Sequence, residues 1–218
     1  MDAAFAIGSH RRGAGSRGAL EMTLLDMGLP RWARVKVREI VGPVWLDPPA
    51  ETATFIDWAR GNVDPTSDLR AVHLLALLAT YPFFDDVCVA VGRLLRLQGQ
   101  VTTADLRSRL RAKWGDREIV QVAQRMCIYS LRHFGALMAD ARSTSSAAEP
   151  LPLTSSLNAW AVHAVVLGRD AGAIDLMEVD VAPELFFVRL DSRQINDYPH
   201  LERYAMAAGR AELVLAQR

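Results

Sequence analysis

Apolar residues along this chain recur mostly at helical rather than strand spacing. In residues 68–80, Leu69, Val72, Leu75, Leu77 and Leu78 form one apolar side behind Asp68, a suitable N-cap, and Pro82 closes the segment. Residues 83–97 repeat the pattern with Val87, Val91, Leu94 and Leu95 and stop at Gly99. After a short strand at 100–102, Thr102 or Thr103 caps a third helix, with Asp105 where a carboxylate meets the positive helix end. Leu106, Leu110 and Trp114 lie four apart and form its buried stripe, while Arg107, Arg109, Arg111 and Lys113 stay in water. Gly115 stops that helix, and Asp116 is placed to cap the next, which runs over 117–134. On a wheel of 3.6 residues per turn, Ile119, Ala123, Met126, Cys127, Ser130 and Phe134 fall together and are expected to be buried. Arg117, Gln121, Gln124, Arg125 and Arg132 fall opposite, with Ile128 the one apolar intruder.

Elsewhere the pattern is less regular. Residues 22–66 hold Pro30, Pro43, Pro48, Pro49 and Pro65, and short helices are expected over 31–41 and 50–61, the second opening after "DPP" and ending at Gly61. "ALMADARSTSSAAEPLPL" reads as a β-hairpin with a Ser-rich tip. Beyond it come a helix over 155–168, strands at "IDLMEVDV" and "ELFFVRL", a helix over 198–208 and a last strand at "AELVLAQ". The expected fold class is mainly α, of α+β type. Four segments follow: a tail over 1–21, a helical extension over 22–66, a central domain over 67–154 and a small α+β unit over 155–218. The tail "MDAAFAIGSHRRGAGSRG" is basic and Gly-rich without the apolar core of a secretory signal, so it reads as disordered, or as a start assigned too early with Met22 as the true one.

Composition narrows the function classes. With 218 residues, half of them apolar, the chain can bury a good-sized core. No apolar run reaches the length that crosses a bilayer, so a membrane partner is not expected. Cys88 and Cys127 both lie in apolar helical patterns, which favours buried thiols over a disulfide and suits a reducing cytoplasm. His10, His73, His133, His163 and His200 show no metal-ligand spacing, and no phosphate-loop, dinucleotide or nucleophile-elbow motif occurs. Asp175, Glu178 and Asp180 form a compact acidic group, but acids alternating on a strand usually mark its solvent side. No catalytic residue, metal or cofactor is therefore expected. "TYPFFDD" at 80–86 and the five tryptophans are most simply packing residues.

Net charge is zero yet unevenly spread. Residues 93–142 carry ten basic and four acidic side chains, whereas 41–92 carry two and seven and 143–218 carry six and ten. One basic block between acidic flanks suits a localised anion-binding face.

Helices in this order, the Trp-Gly-Asp turn at 114–116, and the trailing "FGAL" hairpin resemble the helix-turn-helix and wing of winged-helix DNA-binding domains, over roughly residues 68–154. The resemblance implies that the helix over 117–134 enters the major groove of double-stranded DNA. Arg117, Gln121, Gln124 and Arg125 are then the base-reading candidates, since Arg suits guanine and Gln suits adenine. Arg107, Arg111, Lys113 and Arg132 are candidates for phosphate, and Arg142 with the serines of 143–146 for a wing contact. A transcription regulator or a non-catalytic subunit of a DNA-processing or defence complex would fit, with protein partners or a homodimer besides the DNA. The competing expectation is a protein–protein adaptor built on the same fold.

Overall fold

The computed structural model describes residues 1–10, 14–141, 143–191, 195, 198–206 and 211–216. It is mainly helical, with small antiparallel sheets, and divides into two units, Met1–Leu69 and Arg70–Arg218.

The first unit consists of α1 (Asp2–His10), α2 (Ala14–Asp26), α3 (Arg31–Trp45) and α4 (Ala50–Asn62). Where a disordered tail was expected, α1 is helical and inserts Phe5, fully buried, edge-on against Trp45 at 4.8 Å between ring centres. Gly8 permits that approach, because a Cβ there would lie 2.2 Å from the Trp45 carbonyl oxygen. The Arg60 guanidinium also donates to that carbonyl and pairs with Asp57 at 2.8 Å. The α3 helix continues past the expected end at 41 and includes Pro43. Gly42 lacks the Cβ that usually clashes with a following proline ring, so the helix carries on for its last turn. Unlike the tryptophans expected to pack, Trp32 is 73% exposed.

In the second unit, α5 (Arg70–Thr80) begins two residues after the expected cap. Every residue from Ala71 to Ala79 is buried, the pattern of a helix enclosed on all sides. It packs on α9 (Ser155–Gly168), buried from Leu157 to Val166. Next come α6 (Pro82–Gln98), β1 (Gln100–Thr102), α7 (Thr103–Trp114), α8 (Glu118–His133), β2 (Leu137–Ala141) and β3 (Thr144–Ala147). The three strands form an antiparallel sheet in the order β1-β3-β2, with Val101 opposite Ser145 and Leu137 opposite Ala147. Cys88 is buried and Cys127 half-buried; both are free thiols, and burial pushes Cys127 up to about 12.

The C-terminal part departs most from expectation. "IDLMEVDV" is not one strand but β4 (Ala173–Asp175) followed by α10 (Leu176–Val179), because the Asp175 carboxylate accepts from the Met177 N–H at 2.9 Å and starts a helical turn. "ELFFVRL" is a 3-10 turn, Pro183–Leu185, with only a bridge between Leu151 and Val188. Its carbonyl at Pro183 sits where a Cβ on residue 92 would lie 1.9 Å away, so Gly92 is what lets it rest on α6. Of the expected helix over 198–208, residues 207–208 lie outside the described residues, and the rest holds β5 (Leu201–Ala205), paired antiparallel with β6 (Ala211–Leu215), while β4 closes the sheet on the other side. Tyr198 anchors the entrance to β5, its hydroxyl 2.9 Å from His163 Nδ1 on α9; burial pushes that imidazole down to about 3 and keeps it neutral. Among the described residues no single helix is long and apolar enough to cross a membrane.

Candidate nucleic-acid interface

The two helices of the basic block are fixed by local chemistry. Thr102 caps α7: its hydroxyl accepts from the Asp105 N–H at 3.0 Å and donates to the Asp105 carboxylate at 2.7 Å. Together with the Gln98 amide, that hydroxyl holds the Asp105 carboxyl below the usual carboxylate range. At the other end Gly115 takes φ +75°, a left-handed conformation that favours glycine, and turns the chain into α8. Trp114 locks the turn to α6, its indole N–H donating to Asp86 at 2.8 Å and its ring edge-on to Phe83 at 5.2 Å.

Asp116 does not cap α8 as expected. Arg117 occupies the N-cap position, with no side-chain cap bond. Asp116 instead accepts from Arg107 Nε at 3.0 Å, Arg107 Nη2 at 2.7 Å and the Gln121 amide at 3.1 Å. The hydrogen bonds from Arg107 hold its carboxyl below the ordinary range.

The buried side of α8 is turned by roughly a quarter of a circle from the expected one. Val120, Gln124 and Leu131 are buried, whereas Ile119 is 68% and Met126 52% exposed. Tyr129 is also outside, at 64%, with its ring stacked on His133. Two adjacent apolar residues, Ile119 and Val120, made the wheel ambiguous; the stripe continued by Leu131 is the one that packs.

The nine expected contact residues accordingly separate. Gln124 is buried and donates to the Thr103 carbonyl at 3.0 Å, so it joins α8 to the start of α7 and cannot read a base edge in this position. Arg132 is half-buried and donates to the Thr144 carbonyl at 3.0 Å and the Ser145 hydroxyl at 2.7 Å; it clips β3 to α8 rather than facing outward as a phosphate contact. Arg107 is engaged by Asp116, Lys113 by Asp86 at 2.8 Å, and Gln121 by Asp116. Arg142 lies outside the described residues. Arg111, Arg117 and Arg125 are exposed and make no ion pair among the described residues. Arg93 and Arg109, which were not among the expected contact residues, are exposed as well.

An open groove of about 600 Å³ runs beside these groups, lined by Thr103, Arg107, Ser108, Arg111, Asp116 and Ser143 among others. The Thr103 N–H donates to the Ser143 carbonyl at 2.9 Å, so the hairpin tip is tied to the start of α7. On another side of α6 lies a second chemical cluster. Asp85 and Glu184 are both buried, each with one carboxylate oxygen lacking a hydrogen-bond partner among the described residues, and Arg169 donates to Glu184 at 2.6 Å. Burial, then the nearby Glu184 and Asp86, pushes the Asp85 carboxyl up to about 7. Among the described residues no three His, Cys, Asp or Glu side chains converge to hold a metal ion; Asp175, of the acidic group noted in the sequence, is instead the cap of α10.

Comparison with protein-family models, with curated proteins and with solved structures finds no match to this chain.

Proposed function

We propose that residues 82–147 form a winged helix-turn-helix that binds double-stranded DNA and catalyses no reaction on it. The observation that carries this reading is the contrast within the basic block: α8, second helix of the pair and flanked by the β2–β3 hairpin, presents Arg117 and Arg125 to solvent with no carboxylate partner among the described residues. An arginine with no internal ion pair meets a phosphate or a guanine edge without first giving up a bond. Arg111, beside the open groove, extends the same positive surface toward the backbone. Ile119 and Met126 add methyl-bearing contacts of the kind that recognise thymine. The helix order and the β1-β3-β2 sheet support the winged-helix assignment. In this reading the chain works in a reducing cytoplasm, as a transcription regulator or as a non-catalytic subunit of a DNA-processing or defence complex.

Fluorescence anisotropy with a labelled random duplex, at low and moderate salt, tests the proposal. Binding that weakens steeply with salt, and is weaker in Arg117→Ala/Arg125→Ala, is expected. A folded wild-type protein that binds no duplex at low salt contradicts it. A second reading, the protein adaptor, is favoured by one specific observation: the uncovered apolar stripe of Ile119, Met126 and Tyr129 on the same helix.

A further inference from the structure

Asp85, Val89 and Arg93 are spaced four apart on α6, which puts acid, apolar group and base in a row along one helix face. All three line an open groove of about 560 Å³ in the second unit. Most of the other charges around it are matched. Arg169 donates to Glu184 at 2.6 Å and pairs with Glu178 at 3.4 Å, and Lys113 pairs with Asp86 at 2.8 Å. Asp85 and Arg93 are left without an ion pair among the described residues, about 12 Å apart along the helix axis. Asp85 is only 5% exposed, and its Oδ1 has no hydrogen-bond partner among the described residues; the same holds for Oε2 of the fully buried Glu184. Gly168 leaves room for the first of these oxygens, since a Cβ there would lie 2.9 Å from it. Buried carboxylate oxygens without donors cost free energy that a donor entering from the groove recovers. A metal ion suits the place poorly, because it needs a shell of several oxygen ligands and no three acidic, His or Cys side chains converge among the described residues. An ammonium, with three N–H donors, serves two acceptors at once.

We infer that this groove binds a small primary amine with an anionic far end: the ammonium donates to the Asp85 and Glu184 carboxylates, a short carbon chain lies over Val89, and the anion meets Arg93. The site uses neither Arg117 nor Arg125 and does not depend on the DNA reading. Binding is coupled to pH. Burial, helped by Glu184 and Asp86 and opposed by Arg169 and Lys113, pushes the free Asp85 carboxyl up to about 7, while burial keeps the neighbouring Cys88 thiol neutral. The ammonium requires the ionised carboxylate, so affinity rises as pH rises through that value.

Isothermal titration of the full chain with 6-aminohexanoate, without nucleic acid, tests this. Saturable one-to-one binding is expected, weaker with hexylamine and absent with hexanoate. Affinity should rise about tenfold between pH 6 and pH 8, as a carboxyl of pKa about 7 ionises. Asp85→Asn, verified as folded by circular dichroism, should weaken binding about tenfold or more and remove its pH dependence. Arg93→Ala, at an exposed position, should remove the advantage of 6-aminohexanoate over hexylamine. A folded wild type that binds neither amine at pH 8 overturns the inference. So does Asp85→Asn that binds like wild type, or hexanoate that binds as well as 6-aminohexanoate. Saturable binding of magnesium chloride alone, lost in Asp85→Asn, would give the groove to a metal ion and overturn it too. Duplex binding, measured separately, decides the DNA reading whichever way this titration falls.

Discussion

The two helices of the basic block, α7 and α8, carry similar charges and differ in what those charges do. On α7, Arg107 is held by Asp116 and Lys113 by Asp86. On α8, Arg117 and Arg125 have no ion pair among the described residues, and Arg132 is spent on the β3 strand. A count of arginines therefore overstates the surface offered to an anion. A cation bound to its own carboxylate must exchange one partner for another, whereas an unpaired one gains a partner outright. The carboxylates show the same division. Asp116, exposed and surrounded by donors, is held below its ordinary range, while Asp85, buried beside Glu184, is pushed up to about 7.

The largest expected effect concerns that second contrast. The carboxyl of Asp85 binds its proton more tightly folded than unfolded, so folding is favoured at low pH and this contribution is lost as pH rises from about 4 to about 7. A rise of about three pH units corresponds to about 4 kcal/mol. Asp85→Asn, which imitates the protonated acid, should flatten the stability-against-pH curve in that window and stabilise the protein at pH 8; urea denaturation across the range reads both. A curve unchanged by the substitution would mean that Asp85 is ionised in the fold.

Next in size is Arg132→Ala. It removes the bonds to Thr144 and Ser145 that clip the hairpin, and should cost about 1–3 kcal/mol of stability, since hydrogen bonds from charged groups are the stronger ones. Hydrogen exchange should show the loss concentrated in β2 and β3. Arg125→Ala, by contrast, should leave stability within about 0.5 kcal/mol of wild type and act only on binding. Equal destabilisation by the two substitutions would erase the distinction between the clip and the exposed face.

The smallest effect is expected from Asp116→Asn. It frees Arg107, so duplex binding should strengthen modestly and its salt slope steepen by about one. Unchanged binding would place Arg107 outside the contact surface altogether.

How much of this was legible beforehand varies with how each element is held. Helices such as α5 and α9 are specified by their own sequence: long apolar runs with clear stops leave one way to bury them. The Thr102–Asp105 cap and Gly115 were likewise readable, since both depend on neighbours in the chain. The face of α8 was not, because Ile119 and Val120 compete for one place and distant Leu131 and Thr103 decide between them. Residues 201–205 were misread for the same reason. "LERYA" has no strong strand pattern, and only pairing with 211–215 makes it a strand. Engagement of Arg107 by Asp116, nine residues away, and of Lys113 by Asp86, 27 residues away, was equally beyond a linear reading.

The central claim is that Arg117 and Arg125 of α8, which have no ion pair among the described residues, and not α7's paired cations, carry the DNA contact. Its most direct test compares the salt dependence of duplex binding for Arg117→Ala/Arg125→Ala with that for Arg107→Ala/Lys113→Ala. The first pair should lower the slope by about two, close to 0.9 for each phosphate contact removed, and the second should leave it nearly unchanged. A slope that falls in the α7 variant and holds in the α8 variant would contradict the account.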